Sequence, residues 1–157
     1  MEFRKVHGLG NDFVLVDSFR QLQELPAPLG ETAKKICHRQ LGVGADGLMV
    51  LLPSKKADVR MRIFNADGSE AQMCGNAIRC AARYLYEQGL VKKEVIAVET
   101  LAGIVRPQVI LEDGRVAGVR VDMGEPRLER TQIPMVGPPG WVIAESLLVG
   151  DHVYNVT

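Results

Sequence analysis

An α+β fold with sheet surrounding a central helix is predicted by two features of this 157-residue sequence. Short strand-like segments bounded by glycine or turn residues dominate it, and one helical segment, residues 75–88, is apolar around nearly its whole circumference. A helix of that kind is buried, so strands must cover it on more than one side. Composition agrees: 46% hydrophobic and 24% charged residues, with 3 cysteines, exclude a disordered tail, a collagen-like repeat and a disulfide-built miniprotein.

The elements follow in order. Residues 3–6 and 13–16 read as strands flanking the turn His7-Gly8-Leu9-Gly10-Asn11-Asp12. Residues 30–40 read as a surface helix, with Ala33, Ile36, Cys37 and Leu41 near one face and Glu31, Lys34, Lys35 and Arg39 on the other. The apolar run 48–52 reads as a buried strand. In 58–65, Val59, Met61 and Ile63 alternate with Arg60, Arg62 and Phe64, the period of a strand with one face buried. The central helix presents Ala77, Ile78, Cys80, Ala81, Ala82, Tyr84 and Leu85, has one polar stripe at Arg79, Arg83 and Glu87, and stops at Gly89. Segments 94–98, 103–111 and 116–123 continue the strands, the last two joined by an Asp113-Gly114 turn. Segments 147–149 and 153–156 flank Gly150-Asp151 as a further hairpin.

Charge limits the partners. The 19 Lys+Arg balance 19 Asp+Glu, and no segment gathers the cations into a stripe, so nucleic acid is not an expected partner. No apolar run approaches the ~20 residues that span a bilayer, and no secretory signal is read at the N-terminus. Three cysteines without a CxxC pair read as free thiols in a reducing compartment, which places the protein in the cytoplasm. His7, His38 and His152 lack zinc-site spacing, and no metal is expected.

Gly42-Val43-Gly44-Ala45-Asp46-Gly47 matches the GxGxxG dinucleotide pattern, but a helix precedes it and a strand follows. The fingerprint needs the reverse order, so that a helix N-terminus receives the pyrophosphate. These glycines read instead as a helix stop followed by close backbone approach. More informative is the stretch from Asn65 to Arg79, which passes from a strand end through an Asp67-Gly68-Ser69 turn to Cys74, at the start of the buried helix. Unpaired N–H groups and the positive end of the macrodipole favour a thiolate or a bound anion there. A structural cysteine in a helix cap is the alternative reading. Cys80, about 9 Å further along the helix, and Cys37, beside Ile36, read as small core residues.

Asn65-x-Asp67-Gly68-Ser69, four residues, then Cys74-Gly75-Asn76-Ala77-x-Arg79 resembles the signature of the diaminopimelate epimerase family at every fixed position. The segments 7–13 and 42–47 are similar to the family's other N-terminal motifs, in the same order, and the resemblance runs over essentially the whole chain. It implies a mixed, mostly antiparallel sheet wrapped around a central helix, and an enzyme that interconverts LL- and meso-diaminopimelate without pyridoxal phosphate or any other cofactor. Inverting a stereocentre by proton transfer needs a base on one face and an acid on the other, roles that two cysteines can exchange. By motif matching Cys74 is one of the two; Gly75 and Asn76 bind the α-carboxylate end of the substrate; Asn11 and Asn65 hydrogen-bond its polar groups. Asp67, Gly68 and Ser69 read as the turn that holds Cys74 in place.

Two departures qualify the match. Gly47 stands where some members carry a substrate-contacting glutamine. The family's second catalytic cysteine, its Gly-Asn-Pro-His motif and its Glu-Arg pair have no counterpart in the sequence. The expected organisation is therefore a first epimerase domain at 1–118 followed at 119–157 by the opening strands of a truncated second one, inactive alone. The partner expected is a small-molecule substrate, with a homodimer left open. Two other readings stand beside this one: a related racemase or isomerase of the same fold, and a non-catalytic structural fragment. The Asn76 of Cys74-Gly75-Asn76 speaks against the proline racemase type, whose motif looks like Cys-Gly-His.

Overall fold

Period-two burial builds the main sheet. The computed structural model describes residues 2–18 and 28–157. In it β1 (Arg4–Gly8), β2 (Asn11–Asp17), β3 (Gly47–Leu52), β4 (Val59–Asn65), β6 (Val98–Thr100) and β7 (Gly103–Val105) lie side by side in that order, with β5 (Glu70–Ala71) paired to β4. The β2–β3 and β4–β6 pairs are parallel and the others antiparallel. Phe13, Leu15, Met49, Leu51, Val59, Met61 and Ile63 face one helix, α2 (Gly75–Glu87). Val14, Val16, Leu48, Val50 and Phe64 face the other, α1 (Leu29–Cys37). Strands β2 and β3 are thus covered on both sides, which is why 48–52 is continuously apolar.

The central helix is covered from two sides as well. Val109, Leu111, Val116 and Val119, from the hairpin β8 (Gln108–Glu112) and β9 (Arg115–Arg120), share one core with Ala77, Ile78, Ala81, Ala82 and Leu85. The hairpin turns at Asp113 and Gly114, both at positive φ, as an Asp-Gly type I′ turn requires. Arg83 and Glu87, paired over 2.8 Å, are the exposed residues of α2. The mixed, mostly antiparallel sheet around a central helix is therefore the observed architecture.

Three boundaries differ from expectation. Helix α1 ends at Cys37 instead of residue 40, because the N–H groups of Gly42, Gly44 and Ala45 turn back to the carbonyls of His38, Ile36 and Cys37 (2.8–3.0 Å). Leu41 consequently lies outside the helix and is 87% exposed. Segment 103–111 is two strands broken at Pro107, which has no N–H for a ladder and whose carbonyl accepts from Ile96 N (3.0 Å). Segment 94–98 is mostly a crossing between sheets: Val95 bridges Gln108, Ala97 N donates to the Asp58 carboxylate (2.9 Å), and regular strand begins only at Val98.

The chain divides into two compact units, Met1–Asp122 and Met123–Thr157. The second holds a 3-10 turn (Arg130–Gln132), a bridge between Glu129 and Trp141, and the hairpin β10 (Glu145–Val149) and β11 (His152–Val156) turning at Gly150-Asp151. Arg130 is buried within it, its guanidinium donating to Val136 O (3.1 Å) and to the Glu145 carboxylate.

Candidate active site

Three strand ends and one helix start meet at the same edge of the main sheet. Strands β1 and β2 join through Leu9 and Gly10, both at positive φ (+56° and +86°), in a two-residue type I′ turn between the paired Gly8 and Asn11. A side chain at Gly8 would sit 3.3 Å from Asn76 Cβ and Asn76 O. Glycine there lets the hairpin end rest on the first turn of α2.

That approach places Asn11 beside Cys74. Cys74 Sγ donates to Asn11 Oδ1 over 3.8 Å, and Asn76 Nδ2 donates to the same oxygen over 3.3 Å. Asn11 Nδ2 in turn donates to Asp46 Oδ2 (2.9 Å). Half-buried Cys74 is the N-cap residue of α2, with extended backbone (φ −140°, ψ 119°) and a carbonyl that accepts Ile78 N at 3.0 Å. The amides of Gly75, Asn76 and Ala77 have no acceptor within the helix, and the positive end of the helix dipole lies at this turn.

An ionic frame supports the hairpin end. Lys5 Nζ meets Asp12 Oδ2 at 2.7 Å, and Arg39 bridges Asp12 Oδ1 (3.0 Å) and Asp46 Oδ1 (2.8 Å). The backbones lock as well: Asp12 N donates to Asp46 Oδ2 (3.0 Å), and Asp46 N to Asp12 O (3.0 Å). The Lys5 ammonium, then Arg39, hold the Asp12 carboxyl far below the usual carboxylate range. The Asp12 N–H and the Asn11 amide lower that of Asp46.

Asn65 sits one strand away from this cluster. Its partner across the β3–β4 pair is Gly47, and Ala66 N donates to Asp46 O (3.2 Å). Its own side chain donates to Ser69 Oγ (2.9 Å) within the Asp-Gly-Ser turn, where Asp67 Oδ1 accepts Ser69 N (2.8 Å). The structure thus gathers Asn11, Cys74, Gly75 and Asn76 and leaves Asn65 exposed beside them. The close approach expected at the GxGxxG glycines is to the chain's own backbone. A Cβ at Gly42 would lie 2.3 Å from Lys35 O, and one at Gly47 would lie 2.9 Å from Phe64 O and 3.3 Å from the Phe13 ring.

The other thiols stand apart. Cys37 is 2% exposed and Cys80 half-buried, and burial pushes both thiols up. Sequence reasoning singled out neither Asp46 nor Arg39 nor Asp12 for the site, and it gave Arg79 no role. Arg79 donates through Nη2 to Asn76 Oδ1. The one available signal was Asp46 itself, an acid immediately before the uninterrupted apolar strand β3.

A helix clasped between strand layers defines a fold class that this chain shares with solved proteins. A probable proline racemase from Agrobacterium radiobacter superposes with a TM-score of 0.60 over 76% of this chain and 40% of its own, at 23% identity, which defines the fold. Within that class the chain belongs to the diaminopimelate epimerase family, whose model matches residues 3–129. It is 62% identical over 157 residues to a diaminopimelate epimerase of Pelotomaculum thermopropionicum and 57% identical to one of Moorella thermoacetica. In both cases the alignment takes in 100% of this chain and 56% of the relative, so the chain spans little more than half the length of these proteins.

Proposed function

We propose that these residues form the part of a diaminopimelate epimerase that supplies one of its two proton-transfer groups. In this reading Cys74 takes or returns the proton on one face of the substrate α-carbon. The amides of Gly75 and Asn76 hold the α-carboxylate, as helix N-termini hold anions. That placement puts oriented donors where carbanion charge spreads as the C–H bond breaks. Asn11 and Asn65 bind the polar groups of the substrate, and no cofactor takes part. The second acid/base, on the opposite face, is assigned to the portion of the relatives that this chain does not span, and residues 119–157 to the opening strands of that second domain. Three free cysteines support a cytoplasmic location.

The observation that carries the reading is the position of Cys74: half-buried, the N-cap residue of α2, with its sulfur on Asn11 Oδ1. The test is conversion of LL- to meso-diaminopimelate by the full-length gene product. Cys74→Ser should lower kcat at least ~10²-fold, since proton transfer by a placed group contributes about 10²–10⁴, while pyridoxal phosphate scavengers should leave the parent unaffected. Undiminished turnover in Cys74→Ser would overturn the assignment.

A further inference from the structure

Two carboxamides stand between two groups of fixed hydrogen-bonding character. Every polar hydrogen of the Arg79 guanidinium is a donor, and both oxygens of the Asp46 carboxylate are acceptors. Arg79 donates to Asn76 Oδ1, which turns Asn76 Nδ2 toward Asn11 Oδ1 (3.3 Å). At the other end, Asp46 Oδ2 accepts from Asn11 Nδ2 (2.9 Å) and leaves Asn11 Oδ1 facing both Asn76 and the Cys74 sulfur (3.8 Å). The hydrogen bonds thus run in one direction, from guanidinium through two amides to carboxylate. Turning either amide over would set N–H against a pure donor or carbonyl oxygen against a pure acceptor. Asp46 is itself held, by Arg39 on Oδ1 (2.8 Å) and by Asp12 N on Oδ2 (3.0 Å).

We infer that Asp46 and Arg79 are positioning residues: together they fix both amides so that Cys74 always meets a carbonyl oxygen. This inference rests on the reading of Cys74 as a proton-transfer group. An amide oxygen accepts from S–H, as Asn11 Oδ1 does from Cys74 Sγ. An amide turned the other way would place an N–H donor on the sulfur in place of the acceptor.

The test uses the 157-residue chain and needs no turnover. Alkylation of each cysteine by iodoacetamide is followed by mass spectrometry, and the Asn11 and Asn76 side-chain amide protons by NMR. Asp46→Asn keeps the size of the side chain and removes the pure acceptor. It should label Cys74 at least threefold faster and speed the solvent exchange of the Asn11 amide protons, which the bond to Asp46 slows in the parent. Asp12→Asn removes the same charge from the same Arg39-centred cluster without a bond to the Asn11 side chain, and should change Cys74 labelling less than twofold. Slow labelling of buried Cys37 certifies that each variant is folded. Should an aspartate variant fail that check, the other end decides: Arg79→Met should shift the Asn76 amide protons, and Arg79→Lys, which keeps a donor, should restore them. Equal effects of Asp46→Asn and Asp12→Asn, an unchanged Asn11 amide in Asp46→Asn, or no difference between Arg79→Met and Arg79→Lys would overturn the inference. A full-length protein without epimerase activity would refute the functional reading and leave these readouts as they are.

Discussion

Truncating Ile78 to alanine tests whether the clasped helix is the structural support of the site. Ile78 has no exposed surface, lies in the core shared by the main sheet and the β8–β9 hairpin, and donates its N–H to the Cys74 carbonyl at 3.0 Å. Ile78→Ala removes three carbons. At ~0.8 kcal/mol per buried CH₂ the transfer loss is about 2.4 kcal/mol. The cavity, lined on both sides by packed strands that cannot close over it, adds on the order of 1 kcal/mol. The sum, roughly 3–4 kcal/mol, falls inside the range for such truncations. With a urea m-value of ~2 kcal/mol/M, the unfolding midpoint read by circular dichroism should fall by about 1.5–2 M at unchanged m. A midpoint shift below ~0.3 M would show that Ile78 is not enclosed on both sides, and would refute the two-layer packing of α2.

Other outcomes follow from particular contacts. Cys74 should react with iodoacetamide at least tenfold faster than Cys37, which is 2% exposed and reacts only on local opening; equal labelling of both in folded protein would contradict the placement. Leu9 is 93% exposed and holds φ at +56°, so Leu9→Asn, which tolerates that region, should stabilise by about 0.5–1 kcal/mol in thermal unfolding. A lower melting temperature would show that Leu9 packs against something. Gly42→Ala sets a Cβ 2.3 Å from Lys35 O and 2.6 Å from Ile36 O and should cost at least ~2 kcal/mol in the same assay. Asp12 and Asp46 have folded pKa values below their unfolded value of about 3.9. Their contribution is present above pH ~4 and lost as pH falls through the folded values. The stability gap between the parent and Asp12→Asn should therefore narrow below pH ~4, and a gap that widens in acid would reverse the sign.

What could be read from the sequence was local. The apolar circumference of residues 75–88 implied cover on two sides, and the structure supplies it from two different sheets. The Asp113-Gly114 and Gly150-Asp151 turns were legible because their chemistry is contained within two residues. Cys74 could be placed at a helix start from its neighbours alone. The contact that gives its sulfur a partner could not, because Asn11 is 63 positions away and arrives through a turn resting on Asn76. Asp46 was hidden for a similar reason. Inside a glycine-rich segment it reads as loop polarity, and only the parallel pairing of β2 with β3 brings it under Asn11. The break at Pro107 was legible in principle from the missing N–H, but the surrounding β-branched residues outweighed it. Burial of Arg130 depends on Val136 and Glu145, 6 and 15 positions further along the chain, folding back onto it, a closure that no periodicity announces.

The central claim is that Cys74 moves the α-proton. Incubating full-length protein with LL-diaminopimelate in deuterium oxide and following α-deuterium incorporation by NMR tests it without requiring net conversion. Deuterium should enter at the α-carbon with the parent, at least ~10²-fold more slowly with Cys74→Ser, and not at an enzymatic rate with the 157-residue chain alone. Exchange at the parental rate in Cys74→Ser, or rapid exchange by the isolated 157 residues, would contradict the account.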